Sequence, residues 1–94
     1  MRVASFRSKA LLRLWSNDSA RGLPANQVRR LRLALSAISA AANVRMLASV
    51  PGWRLHALKG ERSGVWSLSI TGNWRLTFRL DGETVHDIDL EDYH

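Results

Sequence analysis

The sequence contains no cysteine. That excludes disulfides and thiolate metal sites, and it suits a reducing compartment. No uninterrupted apolar run approaches the roughly 20 residues of a membrane helix. The first fifteen residues carry Arg7, Lys9 and Arg13 among their apolar positions, so they lack the hydrophobic block of a signal peptide. A cytoplasmic protein with no membrane partner is expected. Acidic residues are scarce over most of the chain: residues 1–79 hold only Asp18 and Glu61 beside all fourteen basic residues. Residues 80–94 reverse this, with six acids and no Lys or Arg. Lysine is scarce too, since twelve of the fourteen basic residues are Arg. Arg presents a planar fork that fits phosphate and stacks on bases. A net charge of +6 in this form points to a polyanion, nucleic acid first, although solvated arginines would account for the same composition.

What is present fits one domain over residues 1–94, with 46% apolar residues and room for a single modest core. Residues 2–6 are short and mixed and suit a strand. From Ser8, Leu11, Leu14 and Trp15 share one face of a helix that gives way before Gly22 and Pro24. A second helix follows, with Val28, Leu31, Leu35, Ile38 and Ala42 spaced 3, 4, 3, 4. Pro24 and Asn26 serve as its start signals. Arg29, Arg30 and Arg32 lie off that stripe and suit a phosphate backbone, a partner protein or water. Residues 43–52 read as a loop.

Beyond the loop the period becomes two. Trp66, Leu68 and Ile70 alternate with Ser67 and Ser69, and Trp74, Leu76, Phe78 and Leu80 alternate with Arg75, Thr77 and Arg79. Residues 53–58 read as a third strand and residues 84–90 as a fourth. For the last hairpin, a three-residue loop at 81–83 keeps apolar opposite apolar. It pairs Leu76 with Ile88, Trp74 with Leu90, Arg75 with Asp89 and Thr77 with Asp87, and sets His86 opposite Phe78 in a structural role. The same reasoning at 71–73 pairs Leu68 with Leu76 and Ile70 with Trp74. The expected fold class is α+β: two N-terminal helices packed on one face of a small, mainly antiparallel sheet. The four tryptophans belong to the core, and the other face of the sheet is polar with basic groups at its centre.

Such a face can receive RNA, and the chain carries groups for cutting it. Attack of a 2′-hydroxyl on the adjacent phosphorus needs a base, an acid for the leaving 5′-oxygen and cations on the pentavalent phosphate. Histidine suits the proton steps and Arg or Lys the phosphate. The candidates are His56, Lys59, Arg75, Asp92, Tyr93 and His94, the last three directly after a strand pattern. Each also has a structural explanation, since a lone strand histidine is usually a surface or core residue, and Tyr93 suits packing as well as stacking. No metal-ligand spacing, phosphate-cradling glycine loop or nucleophile elbow is present, so no metal or cofactor is expected.

Three blocks, PGWRLHALKG (51–60), GVWSLSITGNWRLTFR (64–79) and the terminal EDYH (91–94), resemble the HigB branch of the RelE/ParE toxin superfamily. SFRSKALLRLW and PANQVRRLR, nearer the N-terminus, fit as well. The resemblance implies a toxin of a type II toxin–antitoxin system, a ribosome-dependent endoribonuclease that cuts messenger RNA in the ribosomal A site. It also implies a helix-turn-helix antitoxin of the HigA type as partner. The family's site positions carry over onto His56, Lys59, Arg75, Asp92, Tyr93 and His94. His56 and His94 would be acid and base, Lys59 and Arg75 would hold the phosphate, Asp92 would orient a neighbour, and Tyr93 would position a base. Arg13, Arg29, Arg30, Arg32 and Arg79 would contact ribosomal RNA. The chain departs from some relatives at Thr71–Gly72, where they carry a further basic residue, and at Ala57, where proline is frequent. The gyrase-directed ParE branch and a non-catalytic RNA-binding module are the alternatives.

Overall fold

Ser8 starts the first helix: its hydroxyl oxygen accepts the Leu11 amide hydrogen at 3.2 Å, an N-cap. The structure, a computed structural model, describes residues 1–93. Its elements run β1 (Arg2–Val3), α1 (Lys9–Asn17), α2 (Val28–Ala40), β2 (His56–Ala57), β3 (Val65–Thr71), β4 (Trp74–Asp81) and β5 (Thr84–Asp92). The five strands form one sheet in the order β1-β5-β4-β3-β2. β1 lies parallel to β5 and the other pairs are antiparallel. The architecture is therefore α+β with a mixed sheet, and a strand precedes both helices. Leu11 and Leu14 of α1, Leu31, Leu35 and Ile38 of α2, and Leu68, Leu76, Phe78, Val85 and Ile88 of the sheet form one buried cluster.

The helices end where local chemistry dictates. α1 stops at Asp18, whose φ of 55° is left-handed, a conformation that Asp tolerates better than most residues. α2 begins after a 3₁₀ turn at Ala25–Gln27 and stops at Ala40. Its carbonyl end is capped by the Met1 ammonium, which donates to Ile38 O at 3.1 Å and Ser39 O at 2.9 Å. A cation there also opposes the negative end of the helix dipole. The helical stripe thus ends sooner than the spacing predicts: Ala41 is buried and Ala42 exposed. Trp15 is not a core residue but 38% exposed, with its ring 6.5 Å from that of Phe6. The segment expected to be a loop contains a 3₁₀ helix, Val44–Ser49, which buries Leu47.

The β3–β4 register agrees with the expectation at Leu68 and Leu76, but a bulge at the turn pairs Trp74 with Thr71 rather than Ile70. The β4–β5 register corrects the expectation. The hairpin loop is two residues, Gly82 and Glu83, with Asp81 opposite Thr84. Gly82 takes φ 60°, the positive value that primed hairpin turns require at this position. A bulge between Thr77 and Arg79 then shifts the register. Leu76 faces Leu90, Arg75 faces Glu91 and Thr77 faces Asp89. His86 lies opposite Arg79, not Phe78. The cause is Val85, which is fully buried, as is Ile88 three residues later. An unbroken strand would place these two on opposite faces. Asp87, at φ 55°, absorbs the extra residue, and its amide donates to Ser5 Oγ at 2.9 Å.

Asp87 therefore tests the bulge. Asp87→Val, a β-branched side chain at a positive φ, should cost about 1–3 kcal/mol, whereas Asp87→Gly should stay within about 0.5 kcal/mol of the unsubstituted protein or exceed it. Urea unfolding of both variants measures this, and a neutral Asp87→Val would contradict the bulge.

Candidate functional site

The polar face of the sheet carries His56, Ser67, Ser69, Arg75, Thr77, Asp89 and Glu91, placed there by strand pairing. At the β3–β4 turn this face opens into a cleft of about 450 Å³, whose walls include Arg54, His56, Ser67, Ser69, Arg75 and Tyr93. Three of the sequence candidates, His56, Arg75 and Tyr93, thus line one space. His56 is exposed on the edge strand β2.

Arg75 is oriented by backbone. Its Nη1 donates to Gly72 O at 3.0 Å and to Trp74 O at 3.3 Å. Its guanidinium lies 5.9 Å from the centre of the Tyr93 ring, within the range of a cation–π contact. Glu91, its register partner, is held by other residues. Arg62 donates from Nη1 to Glu91 Oε1 at 2.9 Å and from Nη2 to Oε2 at 2.7 Å, a bidentate pair. Thr77 Oγ1 donates to the same Oε2. Arg62 Nη1 also donates to the Tyr93 phenol oxygen at 3.1 Å, and the Tyr93 amide donates to Asn73 O at 2.8 Å. The phenol is thus fixed at its backbone and at its hydroxyl, with a guanidinium beside its ring.

These bonds shift the ionisation of the pair. The hydrogen bonds from Arg62, and then from Thr77, hold the Glu91 carboxyl below its ordinary 4.5, against the opposing effect of partial burial. The Arg62 guanidinium is raised, chiefly by its hydrogen bonds to Glu91.

The other candidates lie elsewhere. Lys59 is exposed and precedes the short 3₁₀ turn Gly60–Arg62, outside the residues that line the cleft. Asp92 pairs with Trp74 and lines a separate depression with Gln27, Asn73 and Trp74. His94 lies outside the described residues. Arg32 forms an ion pair with Asp18. Arg13 is half-buried, with Nη2 3.2 Å from where a Cβ on Gly22 would stand. Arg30 Nη1 donates to Ile70 O at 2.9 Å. Arg29 and Arg79 are exposed. Sequence reasoning missed Arg62, whose GERSG setting has no periodicity to follow, and Arg54, whose placement depends on a kink in the edge strand.

Comparison with known proteins agrees with this architecture. The family model for the RelE-like toxin of the type II toxin–antitoxin system HigB matches residues 4–94. Endoribonuclease HigB of Proteus vulgaris is 36% identical over 92 residues, which cover 98% of this chain and 99% of that protein. The YoeB dimer from Staphylococcus aureus superimposes with a TM-score of 0.59 at 19% identity, covering 100% of this chain and 97% of that one. A YoeB/ParE toxin from Agrobacterium tumefaciens gives a TM-score of 0.55 at 19% identity, with 100% and 99% covered. The YoeB–YefM complex from Staphylococcus aureus gives 0.56 at 17% identity, with 100% and 99% covered. At these identities the structural likeness is one of fold.

The Arg62–Glu91 pair predicts a pH signature. A carboxyl whose folded pKa is depressed adds stability above its unfolded value, and that stability is lost as pH falls through the folded value. Arg62→Met should therefore be less stable than the unsubstituted protein at pH 7, and the gap should shrink once the pH falls below the ordinary carboxyl value of 4.5. Urea melts at pH 7 and pH 3 measure it; a gap of equal size at both pH values would show that the ion pair contributes nothing.

Proposed function

The chain belongs to the HigB-like toxins of type II toxin–antitoxin systems, a RelE-like family, and from that premise we propose that residues 1–94 act as one toxin domain, a ribosome-dependent endoribonuclease that cleaves messenger RNA in the A site of the small ribosomal subunit and so inhibits translation and growth. The observation that carries this is the cleft in which a histidine, two guanidiniums and a phenol meet on the polar face of the sheet.

In the proposed reaction the 2′-hydroxyl of one nucleotide attacks its 3′-phosphorus. The new P–O bond closes a cyclic phosphate as the bond to the 5′-oxygen breaks. One of His56 and His94 takes the hydroxyl proton and the other protonates the leaving oxygen. Arg75 and Lys59 stabilise the negative charge that builds on the phosphate. Nη1 of Arg75 is tied to carbonyls, and a guanidinium has three further N–H donors. Tyr93, held by Arg62 and the turn, positions or stacks a base. Asp92 orients a neighbouring group or holds a histidine's proton. The mechanism needs no metal or cofactor, since side chains fill each role.

The partners follow from the family. A HigA-like helix-turn-helix antitoxin would neutralise the toxin, and the likeness to a YoeB–YefM complex supports an antitoxin partner. Ribosomal RNA and messenger RNA meet the positive charge, with Arg13, Arg29, Arg30, Arg32 and Arg79 as contact residues, of which Arg29, Arg30 and Arg79 are exposed. The site of action is the cytoplasm. No helix among the described residues is long and apolar enough to cross a membrane.

Primer extension on one defined messenger RNA, with and without translating ribosomes, tests the proposal. Cuts at codon positions that appear only with ribosomes are expected; their absence from both samples would refute it. His56→Ala should lower the cleavage rate about 10²–10⁴-fold with unchanged thermal unfolding. His94→Ala should abolish growth inhibition at matched expression while the protein stays folded.

A further inference from the structure

Beside the cleft that holds His56 lies a second depression, lined in part by Arg30, Arg54, Ser69, Thr71, Gly72 and Arg75. Arg54, Ser69 and Arg75 belong to both, so the two spaces share a wall and form one groove around the β3–β4 turn. Three guanidiniums border it, and among the described residues no carboxylate lines either space. Such a groove fits a polyanionic strand.

Arg54 reaches this position through unusual backbone. Ser69 N donates to Trp53 O at 2.7 Å, while His56 pairs with Ser67. Two residues, Arg54 and Leu55, therefore stand opposite Leu68 alone, and the edge segment bulges. The bulge explains why the strand expected over residues 53–58 is reduced to His56–Ala57. Arg54 takes φ 48°, a region that disfavours every side chain with a Cβ. Among the described residues its guanidinium has no hydrogen-bond or ion-pair partner. Among the described residues the fold thus holds an unpartnered arginine in a disfavoured backbone conformation, and such strained positions cluster at active sites and ligand clamps. Across the depression, Arg30 is fixed by its hydrogen bond to Ile70 O.

We propose that Arg54 and Arg30 form a second phosphate-binding subsite, which takes the RNA backbone phosphate next to the one being cut. This rests on the nuclease reading above. The scissile phosphate lies with His56 and Arg75, and its neighbour lies between Arg54 and Arg30, so the groove holds the strand at two points and fixes its direction across the histidine.

The test is binding of a single-stranded RNA oligonucleotide, made uncleavable by 2′-O-methylation and followed by fluorescence anisotropy over a salt series. Arg54→Gly is the main variant, because glycine suits the left-handed backbone and should leave the melting temperature equal or higher. Its affinity should fall about tenfold. The slope of log affinity against log salt should become shallower by about 0.7, the loss of one single-strand phosphate contact. Arg54→Lys should recover the slope. Arg45→Ala, an exposed position in the 3₁₀ helix Val44–Ser49 and outside both spaces, serves as the control and should change neither affinity, salt slope nor melting temperature. Unchanged affinity and slope in Arg54→Gly, or no RNA binding by the unsubstituted protein, would overturn the subsite. Ribosome-dependent cleavage by the unsubstituted protein is read separately: if it cuts while Arg54→Gly binds normally, only the subsite fails, and if it does not cut, the nuclease reading fails.

Discussion

Val85 and Ile88 stand three residues apart on one strand, and both are fully buried. A strict two-residue alternation cannot satisfy both, and the bulge at Asp87 reconciles them. Everything beyond the bulge inherits its position from that shift. Leu90 comes opposite Leu76, Glu91 opposite Arg75, and Asp92 opposite Trp74. Tyr93 then arrives beside the β3–β4 turn, where its amide reaches Asn73 O. The demand of the core for two aliphatic side chains thus decides which acid and which phenol meet Arg62 and Arg75.

Much of this was legible from residue order. The stripe of α2 and the alternation of β3 and β4 follow from burial on one face, so their spacing shows directly in the sequence. His56 and Arg75 were legible as well, because residue type and strand phase together put a proton-transfer group and a cation on the polar side. The bulges at Arg54 and Asp87 were not, since each interrupts the period on which the expectation depends. The spacing of Val85 from Ile88 was the available signal, but the alternation of His86, Ile88 and Leu90 masked it. Arg62 and Glu91, 29 residues apart, meet only through tertiary folding. Asp92 lies across the sheet from Glu91, as alternation implies for neighbours on a strand, and so it enters a different depression from His56.

The uneven charge of the chain is partly resolved within the fold. Among the described residues Arg62 engages Glu91 and Arg32 engages Asp18. These pairs link the basic body to β5 and to the end of α1. The arginines around the β3–β4 turn are treated differently: Arg75 and Arg30 are bonded to carbonyls, which orient a guanidinium without cancelling its charge. A carboxylate in the same place would fix the side chain and neutralise it.

The outermost strands, β1 and β2, each span two residues, while the long strands β3, β4 and β5 are interior. A sheet recruits further chains through the unpaired peptide groups along its borders. Here those borders are short, and the one at β2 is interrupted by the kink at Arg54. The ladder therefore offers a second copy little backbone to extend, so the polar face stays open to solvent without leaving a template for aggregation.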